Sequence, residues 1–208
     1  ADYFRRPDAD DPGAGWEIEE GFQDVDVEGG ALVFASTGDW SNRPVADHAF
    51  DALGGRLELR FGFDWTRTGG ESTYRLHVQL GRGEAMDVPP GDSDYLANAG
   101  VGPSLLWAGE NQGMEDHEAL GYEVDGEATQ ADVISGAHDV RAAIDVPGQA
   151  FDLLVDGVEV AAGGAFSSSQ TSLDRLRLMT WQMSDANFSG RAFPYVILRR
   201  LSDPAPTH

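Results

Sequence analysis

Arg56-Leu57-Glu58-Leu59-Arg60-Phe61-Gly62-Phe63-Asp64-Trp65 alternates without a break. Leu57, Leu59, Phe61, Phe63 and Trp65 share one parity, and Arg56, Glu58, Arg60, Gly62 and Asp64 take the other. Successive side chains of a strand point to opposite faces, so this period of two predicts an extended strand with one buried face. After the turn residues Thr68-Gly69-Gly70 the pattern returns, with Tyr74, Leu76, Val78 and Leu80 on one side and Arg75, His77 and Gln79 on the other. A third stretch, Phe151-Asp152-Leu153-Leu154-Val155, runs through Asp156-Gly157 into Val158-Glu159-Val160. Asp-Gly between alternating runs is the strongest short hairpin signal, because both turn positions need positive φ.

Working outward, further strands are expected at 16–19, 31–35, 104–108, 121–124, 138–146, 173–181 and 194–201, about eleven in all. With 26 Gly and 10 Pro as punctuation and no long 3.6-residue stripe, the chain reads as all-β. At most a short turn of helix is expected within 87–99 or 112–120. This many turn-spaced strands match a two-sheet antiparallel β-sandwich. One domain over residues 1–202 is expected, with a frayed tail at 203–208.

Composition narrows the function. The 208 residues carry 36 Asp plus Glu against 14 basic residues, all of them Arg, for a net charge of −22. Such a chain repels nucleic acid and anionic membranes. It contains no Cys, which excludes disulfides, thiolate catalysis and cysteine-based metal sites. No apolar run reaches the ~18 residues needed to span a bilayer. A start at Ala1 fits a secreted protein after signal removal, so an extracellular location is expected. The charge excess also predicts salt-dependent stability, since the Debye length shrinks from about 10 Å at 0.1 M to about 3 Å at 1 M. The melting temperature should rise over that range, and a flat profile would remove self-repulsion as a factor.

Several stretches resemble the concanavalin A-like, laminin-G-like jelly rolls. They are Asp2-Tyr3-Phe4-Arg5-Arg6 with Gly15-Trp16, the turn at 29–32, the segment from His138-Asp139-Val140-Arg141 to the Asp156-Gly157 hairpin, and Leu173-Asp174-Arg175-Leu176-Arg177-Leu178. That resemblance implies a carbohydrate-engaging sandwich, but the fold hosts both binding modules and enzymes. The E-x-D-x-x-E strand of the laminarinase-like hydrolases is absent. Arg56-Leu57-Glu58-Leu59-Arg60 resembles the R-x-E-L-R strand of jelly-roll alginate lyases, and His77-Val78-Gln79 echoes their Q-I-H strand in reverse. Their Y-F-K-A-G-x-Y segment has no match, since Phe193-Pro194-Tyr195-Val196-Ile197 lacks the Lys and the second Tyr.

Three readings follow. In the first, the chain is a glycan-binding domain, lectin-like or accessory to a larger polysaccharide-processing protein. Its contacts would come from Arg75, Gln79, Arg177 and the Trp181 platform, and from Trp107, Glu110, Gln112 and His117 in a polar loop. In the second it is a polysaccharide lyase, with Arg60 or Arg75 neutralising a uronate, Gln79 assisting, and His77 moving the proton with Tyr74 or, better placed by alternation, Tyr195. In the third it is a structural or adhesive domain, the reading that would apply if the face bearing His77 were covered. The fold also implies a structural Ca²⁺, for which Asp8, Asp10, Asp24 and Asp26 offer oxygen ligands. No organic cofactor is expected, because dinucleotide and P-loop motifs are missing.

Overall fold

The computed structural model describes residues 2–3, 13, 15–19, 24–36, 45–65, 74–86, 100–110, 117–124, 127–133, 136–182 and 188–202. Among the described residues there is no α-helix, only one 3₁₀ turn at Gly83–Met86. No helix there is long and apolar enough to cross a membrane. The strands are β1 (Asp2–Tyr3), β2 (Trp16–Glu19), β3 (Asp24–Glu28), β4 (Ala31–Ser36), β5 (Val45–Leu53), β6 (Arg56–Trp65), β7 (Tyr74–Gly81) and β8 (Val101–Glu110). They continue as β9 (His117–Val124), β10 (Glu127–Val133), β11 (Gly136–Asp145), β12 (Ala150–Val155), β13 (Val158–Ala165), β14 (Leu173–Gln182), β15 (Phe188–Phe193) and β16 (Tyr195–Arg200).

Two antiparallel sheets result. Sheet A runs β13-β12-β11-β6-β15-β4-β3, with β16 also on β6 and β1 on β16. Sheet B runs β10-β9-β8-β7-β14-β5-β2. This is the jelly-roll β-sandwich that the alternation and turn spacing implied. The parity of 56–65 decides its core: Leu57, Leu59, Phe61 and Phe63 are buried, against Val140, Ala142 and Ile144 of β11 on the same inner face. Sheet B answers with Val78, Leu80, Leu105, Leu176 and Leu178, which belong to the same core cluster.

The Asp-Gly hairpin forms as its sequence requires. Asp156 and Gly157 have φ of 51° and 79°, and Val155 pairs with Val158. A second local feature was not legible beforehand. Between Ala192 opposite Asp64 and Val196 opposite Phe61, the β15–β16 side has three residues where β6 has two. Pro194 sits in this bulge, where a missing N–H breaks no ladder bond. Gly62 lies beneath it, and a Cβ there would come within 2.7 Å of the Tyr195 ring and 2.8 Å of Pro194.

Two expectations are corrected. In the stretch read as one polar loop, Trp107 and Glu110 belong to β8 and His117 to β9, with Glu110 paired to His117, while Gln112 lies outside the described residues. Helix within 112–120 is likewise replaced by strand from His117 onward. The possible helix at 87–99 and the tail at 203–208 lie outside the described residues.

Candidate functional site

The outward face of sheet B is built from residues of one parity on four neighbouring strands. Asp47 of β5, Arg177 of β14, Gln79 of β7 and Ser104 of β8 fall in a single transverse row. Alternation alone would leave that row in water, yet all four residues are buried. The row is held by directed bonds. Arg177 donates Nε–H to Asp47 Oδ1 at 2.9 Å and an Nη2 hydrogen to Oδ2 at 2.7 Å, and its Nη1 reaches the Met86 carbonyl at 2.5 Å. Arg175 approaches the same carboxylate at 3.4 Å, and Gln79 Nε2 donates to Ser104 Oγ at 3.2 Å.

Met86 explains part of the burial. The 3₁₀ turn folds it onto the outward face beside Gly81, where a Cβ would meet the Met86 sulfur at 2.5 Å and the Gly100 carbonyl closer still. Val45, Met86, Val101 and Met179 are buried but stand outside the inter-sheet core cluster. His77 belongs to this covered zone, pairing with Met179 on one side and Leu106 on the other and having no exposed surface. The face expected to present His77 and Gln79 to a ligand is therefore closed at those two positions, both of which are buried.

The opposite end of the same face gathers the other candidates. Trp181 pairs with Arg75, Arg75 with Ala108, and Glu110, two residues along β8, with His117. All four candidates, Arg75, Glu110, His117 and Trp181, have the parity of the outward row and lie at the strand ends distal to Met86. From Trp181 on β14 to His117 on β9 is three strand spacings, about 14 Å at ~4.8 Å each. Trp107 does not join them, since its parity is that of Leu105, a core residue, and it pairs with Leu76.

Arg60 and Tyr195 lie elsewhere. They are on the outward face of sheet A, separated from His77 by both sheets, so the structure does not assemble the lyase trio expected from sequence. Both bond Asp139. Arg60 Nε donates to Oδ1 at 2.8 Å and Nη2 to Oδ2 at 2.5 Å, while the Tyr195 hydroxyl donates to Oδ1 at 2.8 Å. Asp139 pairs with Gly62, and the missing side chain at Gly62 lets the Tyr195 ring cross β6 to reach it. The hydrogen bond from Arg60 chiefly, aided by Tyr195, holds Asp139 below the usual carboxylate range. Partial burial, then the bond to Asp139, pushes the Tyr195 phenol up, opposite to what a general base needs.

Asp139 also serves the hairpin. Its N–H donates to Asp156 Oδ1 at 2.9 Å, the main reason that the Asp156 pKa is lowered, with the His138 bond at 2.7 Å second. A carboxyl depressed in the folded state stabilises the fold above its unfolded pKa of about 3.9, and that contribution is lost as pH falls through the folded value. Asp139→Asn should therefore flatten the acid limb of stability below about pH 4. Urea midpoints measured against pH for both proteins would check this, and parallel curves would refute it.

Among the described residues no group of three or more His, Asp or Glu side chains is placed to hold a metal ion. Asp24 and Asp26 lie on edge strand β3, sharing one parity while Val25 and Val27 enter the core. Asp8 and Asp10 lie outside the described residues.

No protein-family description and no curated protein sequence matches this chain. Solved structures do match its fold. A sialidase aligns over 96% of this chain with TM-score 0.65 and 12% identity, this chain spanning only 18% of the sialidase. The carbohydrate recognition domain of Emp47p aligns over 90% of this chain and 89% of its own length, at TM-score 0.58 and 12% identity. Alginate lyase AlyC3 covers 86% and 78%, at 0.55 and 12%. Together these place the chain in the concanavalin A-like fold, and at such identity they speak to the fold alone.

Proposed function

We propose that the chain is a glycan-binding domain whose ligand seats across the end of sheet B formed by Trp181, Arg75, Glu110 and His117. The observation that supports this is the strand register, which brings four residues from separate parts of the sequence to one end of one face. Their chemistry suits a sugar. An indole stacks on the apolar face of a pyranose, and Arg, Glu and His together donate to and accept from hydroxyls. Buried His77 lies two residues along β7 from Arg75, between this end and the bonded row of Asp47, Arg177, Gln79 and Ser104. The span of about 14 Å suits a short oligosaccharide better than a single ring. Among solved structures of this fold, the Emp47p domain is a carbohydrate recognition domain and the lectin UEA-II is complexed with galactose.

The test is affinity electrophoresis through gels containing neutral or uronate-bearing polysaccharides. Retardation should appear with at least one of them and weaken about tenfold in Trp181→Ala, the scale of one lost aromatic contact of about 1.4 kcal/mol. Arg75→Ala should weaken it as well. No retardation on any polysaccharide, or retardation unchanged in both variants, would overturn the proposal. Ultraviolet absorbance from an unsaturated product would replace binding by β-elimination.

A further inference from the structure

The outward face of sheet A carries a feature that the glycan site does not use. Glu58 belongs to the polar parity of β6, where alternation would leave it in water, yet it is only 3% exposed. Two arginines enclose it. Arg141 Nε lies 2.5 Å from one carboxylate oxygen, and Arg199 Nη2 lies 2.6 Å from the other. Both guanidinium groups stay half-exposed or more, and together with Arg60 they line a cavity of about 300 Å³ that has Leu154 in its wall. Three guanidinium groups thus meet two carboxylates, Glu58 and Asp139, in the wall of one cavity, in a chain whose net charge is −22.

From this arrangement we infer a second binding site, for a small ligand bearing a single carboxylate. Each arginine is oriented by an acid on the sheet: Arg141 and Arg199 by Glu58, Arg60 by Asp139. Each guanidinium carries five N–H donors, more than its contact with the Glu58 carboxylate can take up, so donors of Arg141 and Arg199 remain for an incoming carboxylate. A buried ion pair is not favoured over an apolar pair for stability alone. Here the acid serves to pre-organise the cations, which reduces the ordering cost of binding. Leu154 offers contact to a carbon skeleton beside the charged group. A volume of about 300 Å³ lies at the small end of ligand sites, which suits one sugar-sized molecule.

D-glucuronate and D-glucose make the test pair, because they share a ring and differ in the carboxylate. In NMR titrations at low ionic strength, glucuronate should shift resonances of β6, β11 and β16, and glucose should not. Arg60→Gln and Arg199→Gln should each weaken glucuronate binding at least tenfold, while Arg200→Gln, outside the cavity, should leave it unchanged. Arg60 is about half-exposed, so its variant keeps the test valid even if loss of Arg199 beside buried Glu58 impairs folding. Trp181→Ala should not alter the response, which separates this site from the glycan site on the other sheet. Equal responses to the two sugars, no response to glucuronate, or full binding by Arg60→Gln would overturn the inference.

Discussion

Phe193→Ala should lower the free energy of unfolding by about 3–5 kcal/mol, the range for a fully buried phenylalanine whose site cannot collapse. Phe193 has no exposed surface and ends β15 beside the bulge. Its ring lies 6.0 Å from that of Phe34 and 5.8 Å from each of Phe61 and Phe63, in tilted or edge-on geometry. Those rings come from β4 and β6, so Phe193 ties together three strands of sheet A at their inner faces. The rigid ladders on both sides prevent the neighbours from filling the space. For a protein of this size each kcal/mol is worth about 2–4 °C in melting temperature. Urea denaturation would measure the change, and Phe193→Leu should recover a substantial part of it. A loss below about 1 kcal/mol would mean that this aromatic cluster is not a rigid part of the core.

Arg177→Ala should cost about as much, roughly 3–5 kcal/mol, for an electrostatic reason. Both Arg177 and Asp47 are almost entirely buried, and the two bonds between them satisfy both carboxylate oxygens. Without Arg177, Asp47 keeps only the 3.4 Å approach of Arg175, and the Met86 carbonyl loses its donor. Removing both charges should be far less harmful than removing one. The double variant Asp47→Leu/Arg177→Met should therefore be more stable than Arg177→Ala, a difference that a double-mutant cycle reads as coupling. Near-additive effects would show that the pair is solvated and that the Met86 turn does not seal this face.

Eleven of the strands were legible because their side chains alternate. β6, β7, β12 and β14 carry aliphatic and aromatic residues on one parity, and that pattern survives in any context. β1, β3, β5, β10 and β15 were not expected. Asp24-Val25-Asp26-Val27-Glu28 alternates as cleanly as any, but its acids drew the reading toward a metal site and Asp disfavours strands. β5 and β10 contain Ala and polar residues with weak strand preference, and β15 contains Gly190. These segments are extended because neighbouring strands offer ladder bonds, on both sides for β5 and β15 and on one side for the edge strands β3 and β10, which is a property of the sheet and not of the segment.

The site divides along the same line. Parity alone put Arg75, His77 and Gln79 on one face and Trp181 on the polar side of β14, and the pairing registers agree with it. Parity could not say that His77 and Gln79 would be closed off while Arg75 and Trp181 lie at the far end, because whatever covers a strand's outward face comes from outside the strand. Nor could it separate Arg60 and Tyr195 from His77, since which sheet a strand joins depends on non-local pairing. What the amino-acid order determined by itself is the β class, the turn at Asp156-Gly157 and the inward face of each long strand, all consequences of local sterics and of the need to bury apolar side chains. The tertiary structure alone decided which polar faces meet, which are sealed and where charges gather. Those outcomes rest on contacts between residues far apart in sequence, such as Asp47 with Arg177 and Glu58 with Arg199, whose strength is set by burial that no single segment encodes.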